Sequence, residues 1–121
     1  MYDTTQRKIL SVLSHGAIFF STGFVFIGIP IAILFVSNDP VVKENAKESI
    51  NFHFNVWLYG IVFGLIFGIL SIITLGLLLP LLWLVLGVGY LLHWGLTIWA
   101  ILTVLSNPET PFRYPFIFRL L

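Results

Sequence analysis

Two long regions of this chain carry no charged residue: one from Ile9 to Asn38 and one from Ser49 to Pro108. A membrane-crossing helix needs about 20 predominantly apolar residues. By that measure the pattern predicts an all-α polytopic membrane protein with three transmembrane helices, over about residues 9–36, 50–73 and 80–105. Pro30, shortly after Gly28, predicts a kink or break near Ile29, because proline removes a backbone donor and crowds the preceding turn. Thr74-Leu75-Gly76 separates the second span from the third, and Pro80 suits a first helical turn. The third span ends at Ser106-Asn107-Pro108. Four spans, with the last apolar region divided around Gly87 and Gly89, are the alternative. The stretch from Leu75 to Ser106 is short for two full crossings. Residues 1–121 read as one domain.

The segments between the spans refine this picture. Ser37-Asn38-Asp39-Pro40 is a turn signal, and Val41 to Ser49 is helix-compatible and runs into the second span. With three spans, Arg7 and Lys8 lie on one side of the membrane and Lys43, Lys47, Arg113 and Arg119 on the other. That balance favours a cytoplasmic loop and tail, whereas four spans reverse it. Arg7 and Lys8 open an apolar run too long for a signal sequence, so the first span reads as uncleaved. Pro108, Pro111 and Pro115 keep most of the tail from being helical. Its Phe112, Tyr114, Phe116 and Phe118, with Arg113 and Arg119, predict an interfacial tail, rings toward lipid and charges toward phosphates.

Composition narrows the class. Of 121 residues, 59% are hydrophobic and 9% charged, and a soluble chain of this size has too little interior for so much apolar surface. The absence of cysteine excludes a disulfide scaffold and a thiolate metal site. A net charge of +1 offers no footprint for nucleic acid, and no soluble small-molecule substrate is implied. The partners expected are the lipid bilayer and other membrane proteins.

If the chain from Lys43 onward is one helix, it has two distinct sides. Glu44, Glu48, Asn51 and Asn55 form a polar stripe that enters the apolar layer. Such groups are expensive in a membrane unless paired. They read either as a helix end bonded to neighbouring helices or as a vestibule or polypeptide-binding surface. On the other side lie His53, Trp57, Gly60, Gly64 and Ser71, with Gly68 at the margin. The Gly60/Gly64/Gly68 spacing lets helix backbones approach closely in lipid, so this face packs against another span or docks a partner helix.

The three histidines, His15, His53 and His93, fall one to each predicted span. At 1.5 Å per residue, His15 and His93 lie roughly 9 and 20 Å from the N-terminal side, and His53 about 5 Å from the opposite side. On that arithmetic they cannot meet at one ion, and no metal site is expected. His93 shares its face with Gly89, Thr97 and Ala100. It reads as a neutral histidine bonded to a carbonyl or hydroxyl, or as an axial ligand of a tetrapyrrole pigment, the only cofactor considered. No serine has a nucleophile setting, no P-loop or dinucleotide fingerprint occurs, and an enzyme is not expected.

Lys43-Glu44-Asn45-Ala46-Lys47-Glu48-Ser49-Ile50-Asn51-Phe52, together with Phe112-Arg113-Tyr114-Pro115 and Arg119, resembles the signatures of a family of small membrane proteins. That family is related to the twenty-kilodalton Tic component of the chloroplast inner-envelope protein translocon. Leu13-Ser14-His15 and Pro30 also fit. The resemblance marks Asn45, Lys47, Asn51, Phe52, Arg113, Tyr114 and Pro115 as signature positions without assigning them roles. Its plastid members are four-spanning, unlike this three-span reading. It implies a small scaffold in a larger membrane complex that assists protein translocation or membrane-protein assembly. Such a protein would sit in a bacterial inner, thylakoid or plastid membrane. The alternatives are an accessory subunit of a photosynthetic or respiratory complex holding pigment through His93, and an oligomeric channel.

Overall fold

The computed structural model describes residues 2–17 and 25–121, with side chains in the second segment from Ile27 onward. Among the described residues four helices follow one another: α1 (Thr4–Gly16), α2 (Val25–Val36), α3 (Pro40–Ile73) and α4 (Leu79–Ser106). No strand occurs among the described residues.

The starts of α1, α3 and α4 have local causes. Asp3 caps α1 by accepting the Thr5 amide at 2.9 Å, satisfying a donor that has no partner inside the helix. Asp39 does the same for α3 through Val41 at 2.9 Å, and Pro40 fills a first-turn position where a missing N–H is harmless. At the other end of α3, Gly76 donates to the Ser71 carbonyl at 2.7 Å and Leu75 to Ile72 at 3.1 Å. This paired arrangement closes a helix through a left-handed residue. That residue is Leu75, at φ 54°, followed by Gly76 at φ 88°. Pro80 sits in the first turn of α4. The Thr74-Leu75-Gly76 break and the Pro80 start thus fall where the sequence places them.

The first predicted span comes out differently. Residues 9–36 do not form one helix: α1 and α2 are separate and pack against each other. The helix also runs unbroken through Pro30, so the break expected near Ile29 is absent. With 13 residues, α1 measures about 20 Å, too short to cross a hydrocarbon layer of about 30 Å; the described part of α2 has 12 residues. Arg7 at the start of α1 pairs with Asp39 at 2.6 Å and with Glu109. The N-terminal segment, the α2–α3 turn and the start of the tail therefore share one end of the molecule, where the three-span reading separates them. Among the described residues, the helices long and apolar enough to cross a membrane are α3 and α4, of 34 and 28 residues.

Burial divides the molecule into a packed base and a bare hairpin. The base joins α1, α2, the first half of α3, the last part of α4 and the tail. Its clusters are Phe52, Ala100, Val104, Phe112 and Tyr114, Ala17, Ile27 and Ile50, and Ile33, Val42 and Ala46. Beyond it, from Val56 to Leu96, Ser71 is the one buried residue. Ile72, Leu75, Leu77 and Leu84 are each more than 60% exposed. Moving such a side chain out of water is worth about 1.5–3 kcal/mol, so the α3–α4 hairpin belongs in an apolar solvent. This is a small helical membrane protein.

Candidate functional site

The base is built around the side of α3 that faces the tail. After Asn107 the chain leaves α4, turns at 108–110 and again at 115–116, and lies along α3. Tail amides meet a ladder of α3 acceptors. Phe112 N–H donates to Asn45 Oδ1 at 3.0 Å and Tyr114 N–H to Glu48 Oε2 at 2.8 Å. Phe118 N–H donates to Asn55 Oδ1 at 2.8 Å, and Leu120 N–H to Asn51 Oδ1 at 3.0 Å. Asn55 completes a two-way clamp by donating from Nδ2 to the Phe118 carbonyl at 2.7 Å. The Leu121 amide shares the same Asn51 oxygen as Leu120, at 3.1 Å. Pro111 and Pro115 fall outside the donating positions, where a missing N–H removes nothing from the ladder.

Asn45 is the hub. Its Oδ1 accepts from Phe112, and its Nδ2 donates to the Val41 carbonyl and to Ser11 Oγ, both at 3.1 Å. Because Oδ1 is an acceptor, the 2.8 Å contact with His15 Nε2 requires the proton to sit on Nε2. His15 Nδ1 then accepts from the Tyr114 hydroxyl at 2.9 Å. His15 is fully buried and lies in α1, outside the spanning helices. Desolvation pushes its pKa down to about 4, against the opposing pull of Asn45 and the Glu48 charge. The ring is therefore neutral at physiological pH. Burial, with the Glu48 charge beside it, likewise drives the Tyr114 hydroxyl well above its ordinary pKa and keeps it protonated. The Tyr114 ring stacks on Phe52 at 4.0 Å.

Glu48, 3% exposed, is the buried charge of the ladder. Both its oxygens take the Arg119 guanidinium, which also donates to the Tyr114 carbonyl at 2.8 Å. Arg113 lies 3.8 Å away and is mostly exposed. A carboxylate in this position needs such partners, because an unpaired buried charge is strongly destabilising.

The structure redistributes the residues singled out in the sequence. Glu48, Asn51 and Asn55 hold the chain's own tail, so they line no pore, and the observation that motivated a channel is taken up. Glu44 is half-buried and pairs with Lys47 at 3.2 Å, away from the tail. Phe112 and Tyr114 are core residues, which corrects their expected place against lipid, whereas Phe116 and Phe118 are exposed. Phe116 follows Pro115 at φ 57°. A Cβ added at Gly60, Gly64 or Gly68 would meet nothing within 4 Å. Among the described residues that face is open, although Trp57 packs on the Ala17, Ile27 and Ile50 cluster.

The depth arithmetic for the histidines also fails. The His53 and His93 rings lie 5.8 Å apart, and His93 is 5.4 Å from Phe52. They meet because α3 and α4 pair directly, and α1 enters from the end that holds Asn45. Among the described residues no group of three or more His, Cys, Asp or Glu is arranged to hold a metal ion. The engagement of Asn45 with His15 and the tail was missed in the sequence. Its spacing of three from Glu48 was the available signal.

Neither curated proteins nor solved structures give a match to this chain. Residues 6–121 match the MamF/MmsF family, described as the magnetosome magnetite crystal formation protein family. The match spans both segments on which the resemblance to the Tic-related family rested, and it overturns that resemblance. Protein translocation, and placement in a plastid or thylakoid membrane, lose their support with it. The signature positions keep their places in the base, with roles supplied by the tail ladder. Covering nearly the whole chain, the match shows that this small membrane protein belongs to the MamF/MmsF family.

Proposed function

We propose that this protein is a non-enzymatic scaffold of the magnetosome membrane that shapes magnetite crystal formation through other membrane proteins. The family match over residues 6–121 carries this reading. The geometry supports it in two ways. The α3–α4 hairpin offers long apolar faces that suit a bilayer, and the base is a fixed polar platform whose buried groups are engaged in holding the tail. The span arrangement we favour has α3 and α4 crossing, with α1 and α2 as a short hairpin at the base, in place of three separate crossings. The open Gly60/Gly64/Gly68 face is where a partner helix approaches. Deletion of the gene in its magnetite-forming host, followed by electron microscopy, tests the role. Crystals altered in size or shape and restored by the intact gene support it; unaltered crystals refute it.

A second reading has one observation behind it. His93 Nε2 is buried with no hydrogen-bond partner among the described residues, as an axial ligand to a tetrapyrrole would be before loading. An absorption spectrum of the gently purified protein, unchanged in His93→Ala, removes it.

A further inference from the structure

The end of the molecule where Arg7 meets Asp39 and Glu109 is also where the apolar surface of α2 stops. Phe35 and Val36, its last residues, are 82% and 80% exposed, and Ser37-Asn38-Asp39 follow at once. In a membrane protein, so abrupt a change from bare apolar to polar surface marks the depth where hydrocarbon gives way to headgroups. Two connected hollows lie astride this boundary. The polar one, of about 270 Å³, presents Asp3, Gln6 and Asn38 beside the Arg7–Asp39 pair. The apolar one, of about 190 Å³, lies against Leu10, Ala32, Ile33 and Val36. They share Leu10, Val36 and Ser37. Each is smaller than the roughly 300–1,000 Å³ of a site that encloses a whole small ligand. Together they suit a molecule with one polar end and one apolar end.

We infer that these hollows bind one zwitterionic phospholipid with a primary-amine headgroup, the headgroup in the polar hollow and an acyl chain in the apolar one. Charge selects the headgroup. The Arg7 guanidinium is answered by Asp39 at 2.6 Å and by Glu109. Asp3 is the carboxylate left over: it accepts the Thr5 amide at 2.9 Å and enters no ion pair among the described residues. Anionic lipids seek basic pockets, whereas this wall sets two carboxylates against one guanidinium and disfavours a headgroup of net negative charge. An ammonium beside Asp3 makes a charge-assisted hydrogen bond. The phosphate next to it accepts from the side-chain amides of Gln6 and Asn38, which are exposed in the same wall. A primary ammonium brings three N–H donors to a carboxylate and a quaternary one brings none, so ethanolamine is preferred to choline.

This site stands apart from the proposed magnetosome role, so its test needs no crystal phenotype. The full-length protein, stripped of lipid in mild detergent, is titrated with dioleoyl phosphatidylethanolamine, phosphatidylcholine and phosphatidylglycerol, and bound lipid is counted by native mass spectrometry. One phosphatidylethanolamine per chain should bind, about tenfold more tightly than phosphatidylglycerol. Asp3→Asn keeps an acceptor for the Thr5 amide, so it should unfold at the wild-type temperature yet lose that preference. Gln6→Leu, which leaves the cap untouched, should weaken phosphatidylethanolamine binding several-fold and serves if Asp3→Asn is unstable. Ala32→Trp fills the apolar hollow from the exposed side of α2 and should abolish binding. Equal affinity for phosphatidylethanolamine and phosphatidylglycerol overturns the inference, as does wild-type binding by the folded Asp3→Asn, Gln6→Leu or Ala32→Trp variants. Soluble phosphoethanolamine that competes as well as the lipid also overturns it, because the polar hollow would then hold a solute that needs no acyl chain.

Discussion

Asn45→Ala is the perturbation that reaches most of the base at once. The wild-type amide satisfies two buried donors, Phe112 N–H and His15 Nε2–H, at 3.0 and 2.8 Å. Truncation leaves both without a partner in a place that water does not reach, since Asn45 and His15 are fully buried. An orphaned buried donor costs about 1–3 kcal/mol, so the pair costs about 4 kcal/mol. That is a large share of the 5–15 kcal/mol typical of a folded protein. Thermal unfolding in mild detergent should show it as a midpoint lowered by more than about 10 °C. Tryptophan fluorescence is a suitable readout because Trp99 packs edge-on against Phe112 at 5.1 Å. Glu44→Ala, one residue away, loses only a partly exposed pair with Lys47; it is the control and should stay within about 1 kcal/mol of wild type. A midpoint for Asn45→Ala within about 2 °C of wild type would refute the hub assignment.

Three further outcomes follow from the same geometry. Glu48→Gln keeps an acceptor for Tyr114 N–H but removes the charge that holds Arg119, so the tail should detach more often at a loss of about 1–2 kcal/mol. Faster carboxypeptidase trimming from Leu121 checks this, and an unchanged rate contradicts it. Stability should fall as pH drops from about 6.5 toward 4, because the unfolded chain protonates His15 in a window where the buried ring, at about 4, stays neutral. A shift of that size corresponds to about 3 kcal/mol, measured as the pH dependence of unfolding and flattened in His15→Gln. Gly64→Leu should leave the unfolding midpoint unchanged, since nothing lies within 4 Å of an added Cβ, yet reduce the membrane proteins recovered by pull-down.

The hydrophobic pattern revealed helices over 50–73 and 80–105 because each is long, uncharged and closed by a local signal. Thr74-Leu75-Gly76 stops one helix, Pro80 starts the next, and neither depends on tertiary context. Residues 9–36 misled because length alone made them a span. What separates α1 from α2 is packing onto α3 and the pairing of Arg7 with Asp39, a contact between residues remote in sequence. The polar stripe was half legible: Glu48, Asn51 and Asn55 stood out as groups that must be paired in an apolar layer. Their partners were hidden because they are backbone amides of the tail, which carry no residue-type signal. Only the placement of Pro111 and Pro115 outside the donating positions hints at them. The histidines illustrate the same dependence, since the 5.8 Å approach of His53 and His93 is fixed by how α3 and α4 pair.

The claim that joins fold to function is that the strapped base is the working surface. In a deletion strain of the magnetite-forming host, the intact gene and the double variant Glu48→Gln/Asn55→Ala are compared at matched membrane abundance by crystal size in electron micrographs. The account predicts that the intact gene restores the crystals and the double variant does not. Full restoration by the double variant, with its tail shown by carboxypeptidase to be released, would contradict it.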